Sequence, residues 1–294
     1  MIHVPVLTKE IIQYLKAEPN KNFIDATFGQ GGHTLAILEK TKPNGKVLAI
    51  EYDPILYRSF KPSPSLQKRL ILINDSYTNL EKIVKDNNFG PADGILFDLG
   101  VSMWHFKKSR RGFSFQKNEI LDMRINPYKE EIPAYKIINE YSEQEIEKIL
   151  KEFGEEKFAK RITKAIVLQR KEKPILTTLE LAEIVERAVP RWYRRQRIHC
   201  ATRVFQALRI AVNNELENIK KGLEQSLKVL FSGSRIAVIS FHSLEDRLVK
   251  QFFKEKASKN ILKIITKKPI IPSREEIITN PASRSAKLRV AELI

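Results

Sequence analysis

The chain has 294 residues, 42% of them hydrophobic and 30% charged, so it can bury a sizeable core and is not a disordered tail. Its 52 Lys and Arg against 35 Asp and Glu leave a net charge of +17, which calls for an anionic partner, nucleic acid before a membrane surface. No apolar run is long enough to span a bilayer, no secretion signal opens the chain, and a single cysteine, Cys200, excludes an internal disulfide and any multi-thiolate metal site. The five histidines fall at no ligand-like spacing, so a cytosolic protein without a metal centre is expected.

The first hundred residues alternate short apolar runs with helical spacing. Phe23 to Ala26 reads as a strand, Thr27 to Gly32 as a glycine turn, and His33 to Thr41 as a helix through Leu35, Ile37 and Leu38. Lys46 to Glu51, Leu70 to Asn74 and Asp93 to Asp98 follow as strands. This alternation predicts βαβ units, and hence an α/β fold with a Rossmann-like, mostly parallel sheet. Between 105 and 205 the strand signal disappears. Helices are expected there from Ser142, with Glu145 completing a capping box, over 157–171, and over 178–188 before Pro190. The expected organisation is therefore an all-helical insertion, 105–205, in a discontinuous domain made of 1–104 and 206–294. A helix from about Ala207 to Leu230, the turn Ser232-Gly233 and the strand Arg235 to Ser240 come next. Leu262 to Thr266 and Lys287 to Leu293 are late strands suited to an antiparallel edge.

The charge is unevenly spread. Residues 1–104 carry 12 basic and 11 acidic groups, 105–205 carry 23 and 15, and 206–294 carry 17 and 9. Arg187 to Arg203 holds six arginines and no acid, and Lys256 to Lys268 five lysines and no acid. A solvated surface intersperses both signs, so these stretches point to a phosphate-binding face.

Two strand ends carry the chemistry. Thr34 stands where a dinucleotide fingerprint needs Gly or Ala, which argues against a pyrophosphate cradle and a nicotinamide oxidoreductase. Glu51, 22 positions beyond Gly29, can accept both hydroxyls of a ribose. A glycine turn, that acid and no phosphate site suit S-adenosylmethionine; the competing reading is a tight turn in a cofactor-free domain. Asp98 ends the fourth strand, on the edge where open parallel sheets bind ligands. An exocyclic amine on a nucleobase is a poor nucleophile because its lone pair is delocalised. A carboxylate accepting its N–H bonds would aid in-line attack on a sulfonium methyl, so Asp98 is the catalytic candidate, against a plain loop-capping role. Beyond it, Trp104, Phe106, Phe113 and Phe115 interleave with Lys107, Lys108, Arg110 and Arg111, offering rings to bases and guanidinium groups to phosphates. Phe113 and Phe115 equally fit the inner face of a short strand.

Several strings resemble a known family. They include Asp25-Ala26-Thr27-Phe28-Gly29-Gln30-Gly31-Gly32-His33, Asp93-Gly94-Ile95-Leu96-Phe97-Asp98-Leu99-Gly100-Val101-Ser102, Arg111-Gly112-Phe113-Ser114-Phe115, Ser240-Phe241-His242-Ser243-Leu244-Glu245-Asp246-Arg247 and Asn280-Pro281-Ala282-Ser283-Arg284-Ser285. In this order, beginning with His3-Val4-Pro5-Val6-Leu7, they look like the bacterial small-subunit ribosomal RNA cytosine-N4 methyltransferases, the RsmH or MraW family. The resemblance implies a class I S-adenosylmethionine-dependent methyltransferase fold with a helical substrate domain. It also implies N4-methylation of a cytidine in the decoding region of 16S RNA, with that RNA or the 30S particle as partner. Carried over by motif, cofactor contacts fall on Gly31, Gly32, His33, Glu51, Tyr77, Asp98 and His105. The family usually has Asp where this chain has Glu51, and Ser-Pro-Gln where it has Met103-Trp104-His105. His242 is a second catalytic candidate. RNA contacts are expected from Arg110, Arg111, Phe113, Arg191, Arg194, Arg195 and Arg197. From another class, the alternative is an RNA-binding ribosome-assembly factor with a vestigial cofactor pocket.

Overall fold

The computed structural model describes residues 5–294. Seven strands, β1 (Phe23–Asp25), β2 (Val47–Ile50), β3 (Leu70–Ile73), β4 (Ala92–Asp98), β5 (Leu230–Ser240), β6 (Leu262–Ile264) and β7 (Lys287–Leu293), form one sheet in the order β3-β2-β1-β4-β5-β7-β6. The first five run parallel, and β7 is antiparallel to both β5 and β6. β1 and β2 are buried at every position, as parallel strands covered on both faces must be. Alternation divides the core between the two faces. Ile24, Leu48, Ile95, Phe97 and Val238 pack with Leu80, Ile219 and Leu223 on one side, and Phe23, Ala49, Leu96 and Ile239 pack with Leu7, Ile11 and Ile37 on the other. Strand order reverses between β1 and β4, so a switch point lies at the carboxyl ends that carry Asp25 and Asp98. This is the mostly parallel, Rossmann-like α/β sheet that the alternation predicts.

The chain divides into two compact units, residues 1–100 with 216–294, and residues 101–215. The second is helical. Its segments Glu143–Glu152, Ala159–Glu172, Thr178–Ala188 and Thr202–Val212 enclose Ile146, Leu150, Ile162, Ile166, Leu181, Val185 and Leu208. Complete capping boxes, Ser142 with Glu145 and Thr177 with Glu180, start two of these helices.

Three expectations about elements need correction. The helix expected over 207–230 is two helices, Thr202–Val212 and Glu215–Val229, broken at Asn213-Asn214, where Asn214 has φ 48°. The break has a tertiary cause: Asn213 accepts the Ile125 N–H at 2.8 Å and donates to the Met123 carbonyl at 2.8 Å. That anchoring, with the bidentate Arg209–Glu215 pair at 2.8 and 2.9 Å, carries the helical unit to 215 rather than 205; it opens at 101 rather than 105. The turn at Ser232-Gly233 lies inside β5 as an irregularity, with Gly233 at φ 89° and a register shift between Ala92 and Gly94 opposite. Among the described residues no helix is long and apolar enough to cross a membrane.

Candidate active site

The glycine turn is held at both ends. Phe28 N–H donates to the Ile50 carbonyl, and Gly31 N–H to the Phe28 carbonyl, both at 2.8 Å. Gly31 has φ 82° and caps the helix Gly32–Lys40; a Cβ there would stand 2.8 Å from Phe28 Cζ, so both conformation and space demand glycine. Gly29, at φ 57°, would place a Cβ at an ordinary 3.9 Å from the Thr27 carbonyl oxygen and is required by conformation alone.

Two buried carboxylates brace this turn. Asp25, fully buried at the end of β1, accepts from Thr27 N–H at 3.1 Å and from Thr34 Oγ1 at 2.6 Å. Thr34, the residue that breaks the dinucleotide fingerprint, is thus the partner of the strand-end acid. Burial pushes the Asp25 carboxyl above its ordinary range, with the Thr34 hydrogen bond opposing. The sequence carries no local signal for this pair, since turn and helix cap intervene. Glu51 Oε2 accepts Gly29 N–H at 2.8 Å and Oε1 accepts Asp53 N–H at 2.7 Å; burial pushes its carboxyl up to about 8. Each oxygen retains a lone pair for a further donor.

Asp98 is oriented by its own backbone, whose N–H donates to Thr27 Oγ1 at 2.6 Å. Its Oδ2 lies 3.5 Å from Nε2 of His33, which is 5% exposed. Asp98 Oδ1 and both His33 ring nitrogens are buried without a hydrogen-bond partner. Burial pushes the His33 pKa down, but the adjacent Asp98 carboxylate outweighs it and the net shift is upward. Tyr77 is half-buried, edge-on to Phe97 at 5.7 Å, and a Cβ on Gly222 would fall 2.5 Å from its ring. These parts sit on one unit, at the carboxyl edge of β1, β2 and β4. His242 caps the helix Ser243–Ser258, its Nδ1 accepting Glu245 N–H at 3.4 Å while Glu245 Oε2 accepts Phe241 N–H at 2.7 Å. The structure gives it a capping role.

A cationic cofactor suits this edge better than a phosphate does. Asp25, Glu51, Asp53 and Asp98 gather there, a set of carboxyl groups that disfavours a pyrophosphate and offers acceptors to a cofactor that carries hydroxyls and a sulfonium. The unpartnered atoms of His33 and Asp98 are groups a polar ligand can satisfy, and Glu51 is an acceptor for ribose hydroxyls. The residues fit S-adenosylmethionine.

The helical unit corrects two RNA candidates. Phe113 is 4% exposed, packed under His105 and Phe106, so it presents no face to a base. Arg111 is buried, donates Nη1 to the Arg124 and Ile125 carbonyls and lies 5.4 Å from the Trp104 ring centre; it organises the loop rather than meeting phosphate. His105 is buried between Trp104 and Phe113. Arg110, Arg191, Arg194, Arg195 and Arg197 are exposed, as is Trp192 beside them. Buried Tyr193 anchors that segment by donating to both oxygens of Glu156, at 2.8 and 3.0 Å. The Lys256–Lys268 stretch is less open than its composition suggests: Lys256 is nearly buried against Glu224 at 2.6 Å, and Lys259 pairs with Glu255 at 2.7 Å. Cys200 is buried, which pushes its thiol up and removes it as a nucleophile.

Comparisons with known proteins give the family. The MraW methylase family model matches residues 1–294. The ribosomal RNA small subunit methyltransferase H of Caldicellulosiruptor bescii is 45% identical over 307 residues, covering 99% of each chain. Proteins of the same name from a Sulfurihydrogenibium species and from Persephonella marina are 47% and 46% identical, each over 293 residues and 99% of both chains. The chain belongs to the MraW methylase family: it is a methyltransferase, with S-adenosylmethionine as its methyl donor.

Proposed function

We propose that the protein methylates N4 of a cytidine in the decoding region of 16S ribosomal RNA, in the cytoplasm, with residues 101–215 as the RNA-recognition unit. The observation that carries this reading is Asp98: a carboxylate at the switch point, held by Thr27, with Oδ1 unsatisfied beside His33. The names of the relatives support a small-subunit RNA substrate. When bound, S-adenosylmethionine supplies a methyl group activated by its sulfonium. Glu51 holds the ribose hydroxyls, and the Gly29–Gly32 turn allows close backbone approach. Asp98 accepts an N–H of the exocyclic amine, draws its lone pair out of conjugation, and takes the proton that the alkylated nitrogen sheds. His33, 3.5 Å away, orients that carboxylate and shares its charge. Arg110 and the exposed Arg191–Arg197 segment hold phosphates.

The test is transfer of labelled methyl groups from S-adenosylmethionine to small-subunit particles, followed by nucleoside digestion and mass spectrometry. N4-methylcytidine at one decoding-region position is expected. Binding without transfer would support the assembly-factor reading, and label on another atom would overturn the chemistry.

A further inference from the structure

Beyond Asp98, at the same sheet edge, a second feature is unaccounted for by the cofactor. Ile239 pairs with Asp98 across β4 and β5, and two residues later Phe241 opens a cavity of about 290 Å³. A Cβ on Gly100 would lie 3.8 Å from the Phe241 ring, so the cavity begins two residues beyond the catalytic candidate. Its volume is at the lower end for ligand sites, suited to one small ligand.

Its lining is divided by chemistry. Phe241, Ile271 and Ile277 form an apolar wall, and Ile271 is 65% exposed, an apolar surface left open at the rim. Ser243, Ser285, Arg284 and Lys287 supply hydroxyls and two cations. Of the two cations, Arg284 is uncommitted among the described residues and Lys287 only partly engaged. Arg289 already takes Asp246 at 2.6 and 3.2 Å, leaving Lys287 a longer 3.4 Å contact to the same carboxylate. Among the described residues Arg284 makes no ion pair, and Glu276, the nearby acid, is turned to the Leu7 N–H at 2.7 Å. An apolar wall that takes the face of a ring, facing hydroxyls and two cations, suits a nucleotide.

We propose that this cavity is a subsite for one nucleotide of the substrate RNA, with its base on Phe241 and Ile271 and its phosphate on Arg284 and Lys287. The inference rests on the RNA reading above and adds to it where the strand enters the sheet edge. It assigns a role to the Asn280-to-Ser285 string that neither cofactor nor catalysis uses.

Two variants at exposed positions test it, each first checked for an unchanged melting temperature: Arg284→Glu, which reverses the charge, and Ser285→Phe, which fills the cavity without changing charge. Methyl transfer to small-subunit particles is measured at saturating S-adenosylmethionine, alongside anisotropy of a labelled single-stranded RNA with S-adenosylhomocysteine bound. Each variant should weaken RNA binding about tenfold and raise the KM for particles correspondingly, and Arg284→Glu alone should reduce the salt slope by about 0.7. Cofactor affinity by calorimetry should not move. Variants with unaltered RNA affinity and KM would overturn the subsite while the RNA reading stands. No transfer to RNA by the unmutated protein would overturn the RNA reading itself; loss of RNA affinity in both variants would then still support a nucleotide site, and no loss would remove it.

Discussion

Glu51 shows how one residue serves two states. Its oxygens tie the end of β2 to the glycine turn through Gly29 and Asp53, and burial raises its carboxyl to about 8. An acid that holds its proton more tightly folded than unfolded costs stability as pH rises from the ordinary carboxyl range, and the loss is complete once pH passes the folded value. The ligand-free protein should therefore lose up to about 5 kcal/mol between about pH 4.5 and 8, and Glu51→Gln should flatten that fall while weakening cofactor affinity. Parallel melting curves against pH for the two proteins would contradict this. Asp98 differs because its side chain is partly open and its Oδ1 lacks a partner. Asp98→Asn keeps the shape and loses the base, so turnover at saturating cofactor should drop by about 10²–10⁴. A variant with near-normal kcat would remove Asp98 from the chemistry. Both residues were legible as strand-end acids. Asp25 and Thr34 were not legible as a pair, because their 2.6 Å bond depends on how the turn folds back.

Among the elements, the glycine turn is where backbone conformation decides most. Gly29→Ala should cost about 1 kcal/mol for its positive φ alone, whereas Gly31→Ala adds a clash with Phe28 and should cost up to about 3 kcal/mol and abolish S-adenosylhomocysteine binding. Equal melting temperatures for the two would mean that Phe28 yields without cost. Helix starts were readable wherever a cap is local, as at Ser142 and Thr177. The break at Asn213 was not, since its partners Ile125 and Met123 lie 88 and 90 residues away. The aromatic-basic run after Asp98 misled for the same reason. Arg111 finds its acceptors in carbonyls that only tertiary folding brings near, and Phe113 becomes core.

At the scale of the whole molecule, the charge is unevenly spread. Residues 1–104 are almost neutral, while the exposed arginines between Pro190 and Cys200 are anchored by the buried Tyr193–Glu156 pair. Reversing Arg191, Arg195 and Arg197 to Glu should weaken RNA binding and lower its salt slope by about 0.7 per lost contact, leaving cofactor affinity unchanged; equal loss of both would mean the charge is not partitioned in this way. The sequence by itself determined the alternation of strands and helices, the helical interruption, the family and the acids at the strand ends, because periodicity, capping and motif are local properties of the chain. Only the tertiary structure decided which charges are spent inside and which face outward. Arg111, Lys256 and Arg289 look like surface cations in the sequence, yet each is taken up by carbonyls or carboxylates that a long-range fold brings within hydrogen-bond reach.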